Sequence, residues 1–172
     1  MEYWDLYNKD RIKINKLHIR GEKVNPGEYF IIVSGWIMNS DNKLLLSQRH
    51  PEKSFPLTWE CNTGAVLMGE DSISGVLREV EEEIGIKLQK ENGILLETIT
   101  VDKYSYIKDI YLFFKNINIE ETKLQENEVI NVKWASIEEL EQMAENKEIT
   151  PFALIDMKAI KEYVERKLML AQ

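Results

Sequence analysis

Apolar and polar positions along the chain predict several β-strands before the first helix. The first 28 residues are mostly polar and carry spaced apolar positions at Ile12, Ile14, Leu17 and Ile19, followed by the turn signal Asn25-Pro26-Gly27. We expect an N-terminal strand or hairpin over residues 1–28. A continuous β-rich run over 29–38 predicts a buried strand, and further strands are predicted over 43–48, 57–66, 94–101, 106–114 and 129–134.

Helical signals are fewer and lie at defined places. Apolar residues recur at helical spacing from Ser72 to Ile84, and Gly85 then provides a stop signal. Ser136 and Glu139 form a capping box that predicts a helix to about residue 146. Thr150-Pro151 predicts the start of a final helix towards residue 170. Strands, a helix, more strands and two helices predict an α/β or α+β sandwich, with 1–172 as one domain.

Composition and charge narrow the function classes. With 172 residues and 44% hydrophobic residues, the chain can fill one core. A net charge of -8 argues against binding to nucleic acid, which needs clustered Lys and Arg. No signal peptide or membrane-spanning run is readable, so we expect a cytoplasmic protein without a membrane partner. With one cysteine, Cys61, and two histidines, any metal site must rely on carboxylates.

Acidic residues concentrate on the first predicted helix. The segment from Glu70 to Glu83 has six acidic residues and one basic residue, a local charge of -5. Glu79, Glu82 and Glu83 share a face distinct from the apolar one, and Arg78 lies four residues before Glu82. A solvated helix face and a divalent-metal site both remain open on these residues alone.

The spacing of the whole segment resembles the signature of the Nudix hydrolases. The order Gly64, five residues, Glu70, seven residues, then Arg-Glu-aliphatic-x-Glu-Glu-x-Gly-aliphatic from Arg78 to Ile86 matches that signature over 23 residues. The resemblance implies an α/β/α sandwich with a mixed β-sheet between helices. It also implies hydrolysis of a nucleoside diphosphate linked to another moiety, by attack of water on phosphorus.

By the same resemblance, the metal ligands would be Glu79, Glu82, Glu83 and a backbone carbonyl near Gly64. The cofactor would be Mg²⁺ or Mn²⁺, because the ligands are oxygens. The partner would be a small diphosphate-containing substrate, which a cation must bridge to an acidic pocket.

Other roles carried over by the resemblance concern the water and the substrate. Arg78 would hold a carboxylate in place, and Glu70 would help to orient the attacking water. The base would be Glu79, Glu70 or a later loop acid, for which Glu128 fits better than Glu126. Arg49, before the motif, is a candidate for binding substrate phosphate or carboxylate, with a solvated loop cation as the equal alternative.

Two alternatives to a hydrolase remain. Segments around Arg49 and Trp59 look closest to the subgroup with the isopentenyl-diphosphate isomerases, but Thr63 and Ala65 stand where those enzymes have a cysteine and a histidine. A non-catalytic nucleotide-binding or sensor module would be expected to have a degraded motif, whereas this one is intact. Residues 1–28 are compatible with capping the site or with exchange in a homodimer.

Overall fold

The computed structural model describes residues 2–170, which form nine strands and three α-helices. The strands are β1 (Tyr3–Tyr7), β2 (Lys13–Ile19), β3 (Phe30–Met38), β4 (Leu44–Arg49), β5 (Trp59–Glu60), β6 (Asn62–Ala65), β7 (Gly93–Val101), β8 (Tyr106–Phe114) and β9 (Val129–Ala135). The helices are α1 (Ser72–Ile84), α2 (Ile137–Glu145) and α3 (Pro151–Leu170). Single 3₁₀ turns lie at Lys90–Asn92, Asp102–Tyr104 and Ile119–Glu121.

Strands β3 to β9 form one mixed sheet. Strand β3 runs parallel to β8 and antiparallel to β6, and β7 is antiparallel to β8. Strand β4 is antiparallel to β9 on one edge and to β5 on the other. Between themselves, β3 and β4 share one residue pair, Met38 with Leu44, so the two strands diverge. The segment 59–65 fills the gap between them, and this explains why the single strand predicted over 57–66 is divided at Cys61.

Helices cover both faces of the sheet. Val33 and Ile37 of β3 belong to a buried cluster with Val76 and Val80 of α1. Trp36, between them in sequence, belongs to a second cluster that also contains residues of α2 and α3. Adjacent strand residues therefore point to opposite faces. This arrangement confirms the predicted sandwich with a mixed sheet between helices.

The predicted helix boundaries are confirmed by their capping groups. The Asp71 side chain accepts a hydrogen bond from the Ser74 amide (2.8 Å), and Gly85 ends α1 in the left-handed conformation at φ 71°. The capping box of Ser136 and Glu139 opens α2. At α3, the Thr150 hydroxyl accepts a hydrogen bond from the Ala153 amide (3.1 Å). No helix within residues 2–170 is both long enough and apolar enough to cross a membrane.

The N-terminal hairpin forms a separate two-stranded sheet of β1 and β2. The apolar positions of the sequence pattern are not the ones that this hairpin buries. His18 is buried, whereas Ile12 and Leu17 are more than half exposed. The hairpin is anchored at Asp109 of β8, whose carboxylate accepts two hydrogen bonds from the Arg11 guanidinium (2.6 and 2.5 Å). The structure thus has a hairpin in this region, and the hairpin contacts the sheet at Asp109.

A buried ion pair joins the sheet to α3. Lys108 of β8 and Asp156 of α3 are 1% and 0% exposed, and their Nζ and Oδ1 atoms lie 2.6 Å apart. Lys108 also donates to the Phe152 carbonyl (2.7 Å), and the Trp36 indole donates to Asp156 (3.0 Å). These contacts fix α3 against the sheet beside the cavity described below.

Candidate functional site

Three acidic residues of α1, Glu79, Glu82 and Glu83, line a cavity of about 670 Å³. Val76, Val80 and Ile84 bury the neighbouring stripe of α1 against the sheet. The glutamates at helical spacing are therefore turned towards β6 and the loop before β9. The charged residues lining the cavity are Glu2, Arg20, Arg49, Lys53, Glu60, Arg78, Glu79, Glu82, Glu83 and Glu128.

Glu79 lies directly against the backbone of Gly64. An added Cβ at Gly64 would stand 2.0 Å from Glu79 Cδ and 2.2 and 2.3 Å from its two carboxylate oxygens. Any side chain at this position would displace the carboxylate, since ordinary contacts begin near 3.4 Å. Burial raises the pKa of Glu79, and the neighbouring Arg78 opposes that shift. The glycine of the motif therefore leaves space for the carboxylate of a motif glutamate.

Arg78 connects the acidic residues of the motif. Its guanidinium donates to both oxygens of Glu70 (each 3.0 Å), to Glu79 (2.7 Å) and to Glu82 (3.1 Å). It also donates to the Ala65 carbonyl in β6 (3.0 Å). Glu70 in turn accepts a hydrogen bond from the Leu67 amide (3.0 Å). This network is the arrangement expected of an arginine that holds carboxylates in place.

Glu83 is the most buried acid of the helix. Its residue exposure is 6%, and its carboxylate accepts a hydrogen bond from the Asn62 amide group (2.7 Å). Burial raises the pKa of Glu83 to about 8; the Asn62 hydrogen bond opposes this rise, and the charge of Glu60 adds to it. Glu82, by contrast, is about half exposed. The three glutamates thus share a face but occupy different environments.

Two residues beside Glu83 were missed by the sequence reasoning. Asn62 lies two positions before Gly64, so alternation along an extended strand would have placed both on one face. Glu60 is buried, and its Oε2 atom has no hydrogen-bond partner among the described residues. Its other oxygen accepts a hydrogen bond from Arg49 (2.5 Å). No local sequence signal identifies Glu60, because its position depends on the gap between β3 and β4.

The remaining candidates lie at the end of β4 and on the loop before β9. Arg49 is buried, and its guanidinium donates to Glu60 and to the Ser54 carbonyl (2.7 Å) and hydroxyl (3.0 Å). Glu128 lines the cavity and forms an ion pair with Lys53. Glu126, the weaker loop candidate, is exposed and does not line the cavity. The structure thus brings Arg49 and Glu128 to the acidic helix and leaves Glu126 outside.

The donor set fits a divalent cation, although it is not assembled into a coordination sphere. Within residues 2–170, no group of three His, Cys, Asp or Glu side chains is arranged to hold a metal ion. The available donors are oxygens, as Mg²⁺ and Mn²⁺ prefer. The space at Gly64 and the unpartnered oxygen of Glu60 are the structural features that fit a cation at this end of the cavity.

The single cysteine belongs to the core. Cys61 is 1% exposed, and its Sγ lies 3.4 Å from Thr63 Oγ1 and 3.8 Å from Asp156 Oδ2. Burial, followed by the charge of Asp156, raises the pKa of the thiol well above its usual range. A buried thiol held protonated is a poor nucleophile or base.

Comparison with known proteins places these features in a family. A model of the NUDIX domain matches residues 28–154. A protein of Listeria innocua named as an uncharacterized Nudix hydrolase is 33% identical over 163 residues, covering 91% of this chain and 92% of that protein. The isopentenyl-diphosphate Delta-isomerase of Dictyostelium discoideum is 25% identical over 170 residues, covering 81% and 70%. The crystal structure of DR0079 from Deinococcus radiodurans shares the fold, with a TM-score of 0.75 at 20% identity, covering 94% and 98%.

Proposed function

Because this chain belongs to the Nudix family, we propose that it is a metal-dependent hydrolase of a nucleoside diphosphate linked to another moiety. The family supports hydrolysis of a pyrophosphate bond at the general level. We propose in addition that the reaction requires a divalent metal ion and that the substrate is a nucleotide. The observation that carries it is the Glu79 carboxylate seated on Gly64 at the wall of a cavity that also holds Glu82 and Glu83.

The proposed metal ligands are Glu79, Glu82, Glu83 and a backbone carbonyl near Gly64. When bound there, Mg²⁺ or Mn²⁺ would neutralise charge on the diphosphate and lower the pKa of a coordinated water. Asn62 supports this assignment, because its amide group holds the Glu83 carboxylate in position (2.7 Å). The Arg78 network supports it similarly, since it restricts the motion of Glu79 and Glu82.

Three carboxylates are candidates for moving the proton of the attacking water. Glu79 and Glu70 are both held by Arg78, and Glu70 is further fixed by the Leu67 amide. Glu128 approaches from the loop before β9. Fixed carboxylates of this kind can orient a water and accept its proton. We propose that Arg49 and Lys53 act near the substrate phosphates, although each is paired with an acid in this structure.

The isomerase alternative is not favoured by the residues of this site. Thr63 stands where the isomerases have their cysteine, and the Cys61 thiol is buried in the core. The similarity to the Dictyostelium isomerase is therefore one of overall sequence and does not extend to the catalytic cysteine. We retain the isomerase and the nucleotide sensor as outcomes that the following experiment distinguishes.

The experiment is a panel of nucleoside diphosphate derivatives assayed with Mg²⁺, with Mn²⁺ and with a chelator. We expect release of phosphorylated products that requires a divalent ion, and a loss of about 100-fold or more in kcat for Glu83→Gln. Calorimetry should show weaker Mn²⁺ binding to Glu79→Gln than to the wild type.

A matched control is available on the same helix. Glu81 is exposed, pairs with Lys87 (3.3 Å) and does not line the cavity, so Glu81→Gln should retain activity and metal affinity. Binding of nucleotides without turnover of any compound would favour the sensor. Isomerisation of isopentenyl diphosphate without hydrolysis would favour the isomerase.

A further inference from the structure

Six aromatic rings line the cavity together with its acidic residues, and four of them form one connected series, while the other two, Phe55 and Phe152, contact each other. We call Trp4, Phe30, Tyr104 and Tyr106 the aromatic wall. Trp4 is stacked on Phe30 with ring centroids 4.5 Å apart. Phe30 meets Tyr106 edge to face at 6.1 Å, and Tyr106 is stacked with Tyr104 at 6.1 Å and an interplanar angle of 7°. These four rings thus form a continuous series within the lining of the cavity.

The N-terminal hairpin holds one end of this wall in place. The Met68 amide donates to the Tyr3 carbonyl (2.8 Å), and the Gly69 amide donates to the Asp5 carboxylate (2.8 Å). These two bonds lie on either side of Trp4 and connect β1 to the loop within the motif. The hairpin also brings Arg20 to the cavity, where its partner is the exposed Glu2 (2.9 Å). The hairpin is therefore part of the cavity wall.

Two polar atoms of the wall lack partners. Trp4 Nε1 and Tyr106 Oη are buried and have no hydrogen-bond partner among residues 2–170. An unpaired buried donor is unfavourable, so a group that accepts a hydrogen bond from either ring would improve its environment. Neither ring is fixed in its present orientation by a polar bond through these atoms. An acceptor atom of a ligand that comes within hydrogen-bond distance of either donor would satisfy it.

The aromatic wall is suited to bind a planar ring that has hydrogen-bond acceptor atoms at its edge. Aromatic faces stack on heteroaromatic bases, and the stacking tolerates differences between bases. Arg20 adds donors that could reach acceptor atoms on the edge of such a ring. A purely aliphatic ligand would leave the Trp4 and Tyr106 donors unpaired. The cavity volume of about 670 Å³ falls within the range of sites for small ligands, roughly 300–1,000 Å³.

We propose that the aromatic wall binds the base of a nucleotide substrate, and that the N-terminal hairpin contributes Trp4 and Arg20 to this subsite. The inference rests on the proposed function for the diphosphate end, since the acids and the wall share one cavity. It assigns the base of that substrate to the aromatic wall and gives the hairpin a role in specificity.

The experiment compares ligands that differ in the base, by calorimetry on the full chain. The probes are the four common ribonucleoside 5′-monophosphates, ribose 5-phosphate as the matched compound without a base, and isopentenyl phosphate as an aliphatic compound. We expect at least one nucleotide to bind the wild type about 10-fold more tightly than ribose 5-phosphate. Equal affinities, or tighter binding of isopentenyl phosphate, would overturn the assignment.

Variants test the individual residues. Tyr104 is half exposed, so Tyr104→Ala should fold normally and lose most of the 10-fold preference while ribose 5-phosphate binding is unchanged. Trp4→Phe keeps a ring and removes the N–H, and it should lose part of the preference. Nucleotide affinity unchanged in both variants would refute the proposal.

Arg20, which directly follows β2, has a matched control in Lys16, which lies on β2 and pairs with Glu28 outside the cavity. Arg20→Met should weaken nucleotide binding about fivefold and Lys16→Met should not. An equal loss for ribose 5-phosphate would assign Arg20 to the phosphate and overturn its place in the subsite. Base-dependent binding without hydrolysis would contradict the proposed function and support the subsite. Hydrolysis without any base preference would support the proposed function and contradict the subsite.

Discussion

Replacing Gly64 with alanine should disable the site by moving one carboxylate. The added Cβ would lie 2.0 Å from Glu79 Cδ, whereas an ordinary contact requires at least 3.4 Å, so the carboxylate must move by about 1.4 Å or more. Bonds from Mg²⁺ to oxygen tolerate deviations of about 0.2 Å. A misplacement near 1 Å can cost about 100-fold in rate. We therefore expect Gly64→Ala to lose about 100-fold or more in kcat and to bind Mn²⁺ more weakly.

The same substitution should leave the fold intact. Gly64 pairs with Val33 across β3 and β6, and its φ lies outside the left-handed region, so alanine can adopt the same backbone. The group that must move is the end of a flexible side chain. Alanine also lowers the conformational entropy of the unfolded chain, which stabilises the fold by about 0.4–1 kcal/mol. We expect the free energy of unfolding to change by less than about 1 kcal/mol in urea titrations.

A double-mutant cycle separates this explanation from a direct effect on the Gly64 carbonyl. If the alanine acts through Glu79, adding Gly64→Ala to Glu79→Ala should cause almost no further loss of activity. The assays are turnover at saturating Mg²⁺ and calorimetric titration with Mn²⁺. Wild-type activity in Gly64→Ala, or the same 100-fold loss in the Glu79→Ala background, would refute the reasoning.

Two further predictions concern buried ion pairs. Asp156→Ala should destabilise the fold by about 3–5 kcal/mol in urea unfolding, because it leaves the buried Lys108 without its ion-pair partner. The control Lys161→Met removes an exposed pair with Glu141 and should cost less than about 1 kcal/mol. Equal losses of stability in the two variants would contradict the argument. Arg11→Met should cost about 1–3 kcal/mol at neutral pH. Burial raises the pKa of Asp109, but hydrogen bonds from Arg11 and Thr98 outweigh it and lower the pKa below its usual value. The stabilisation by this pair is therefore present above the pKa of the unfolded state, about 3.9, and is lost as the pH falls through the pKa of the folded state. The difference between wild type and Arg11→Met should shrink below about pH 4, and a difference independent of pH would contradict this reasoning.

The sequence predicts those features that depend on local interactions. The ends of α1 and α2 follow from caps within a few residues of the helix, at Asp71, Gly85 and Ser136, so their boundaries agree with the structure. The motif spacing brings Glu79 and Gly64 together, and the structure shows that the pair is in contact. Helical spacing also indicates which glutamate is buried, because Glu83 lies three residues after Val80 and seven after Val76, beside the apolar stripe. Its hydrogen bond to Asn62 depends on packing against β6.

Residues brought to the cavity by the sheet were not predictable from the sequence. Glu60 reaches it because β3 and β4 diverge and admit the segment 59–65 between them. Trp4 and Arg20 reach it because the hairpin docks on the motif loop through the Tyr3 and Asp5 contacts. Both arrangements join parts of the chain that are far apart in sequence, and neither leaves a local pattern.

The charges that line the cavity support the proposed need for a divalent cation. A net charge of -8 for the chain could reflect a solubilising surface alone, but six acids and four cations line this one cavity, a formal charge of -2 when all are ionised. Each of the four cations is already paired with an acid of the same cavity. A diphosphate that enters would therefore either break these pairs or meet uncompensated negative charge. A divalent cation that enters with the substrate would cancel the formal charge of the cavity itself without separating any pair, so that only the charge of the diphosphate remains. The pairs are Arg20 with Glu2, Arg49 with Glu60, Lys53 with Glu128, and Arg78 with Glu79.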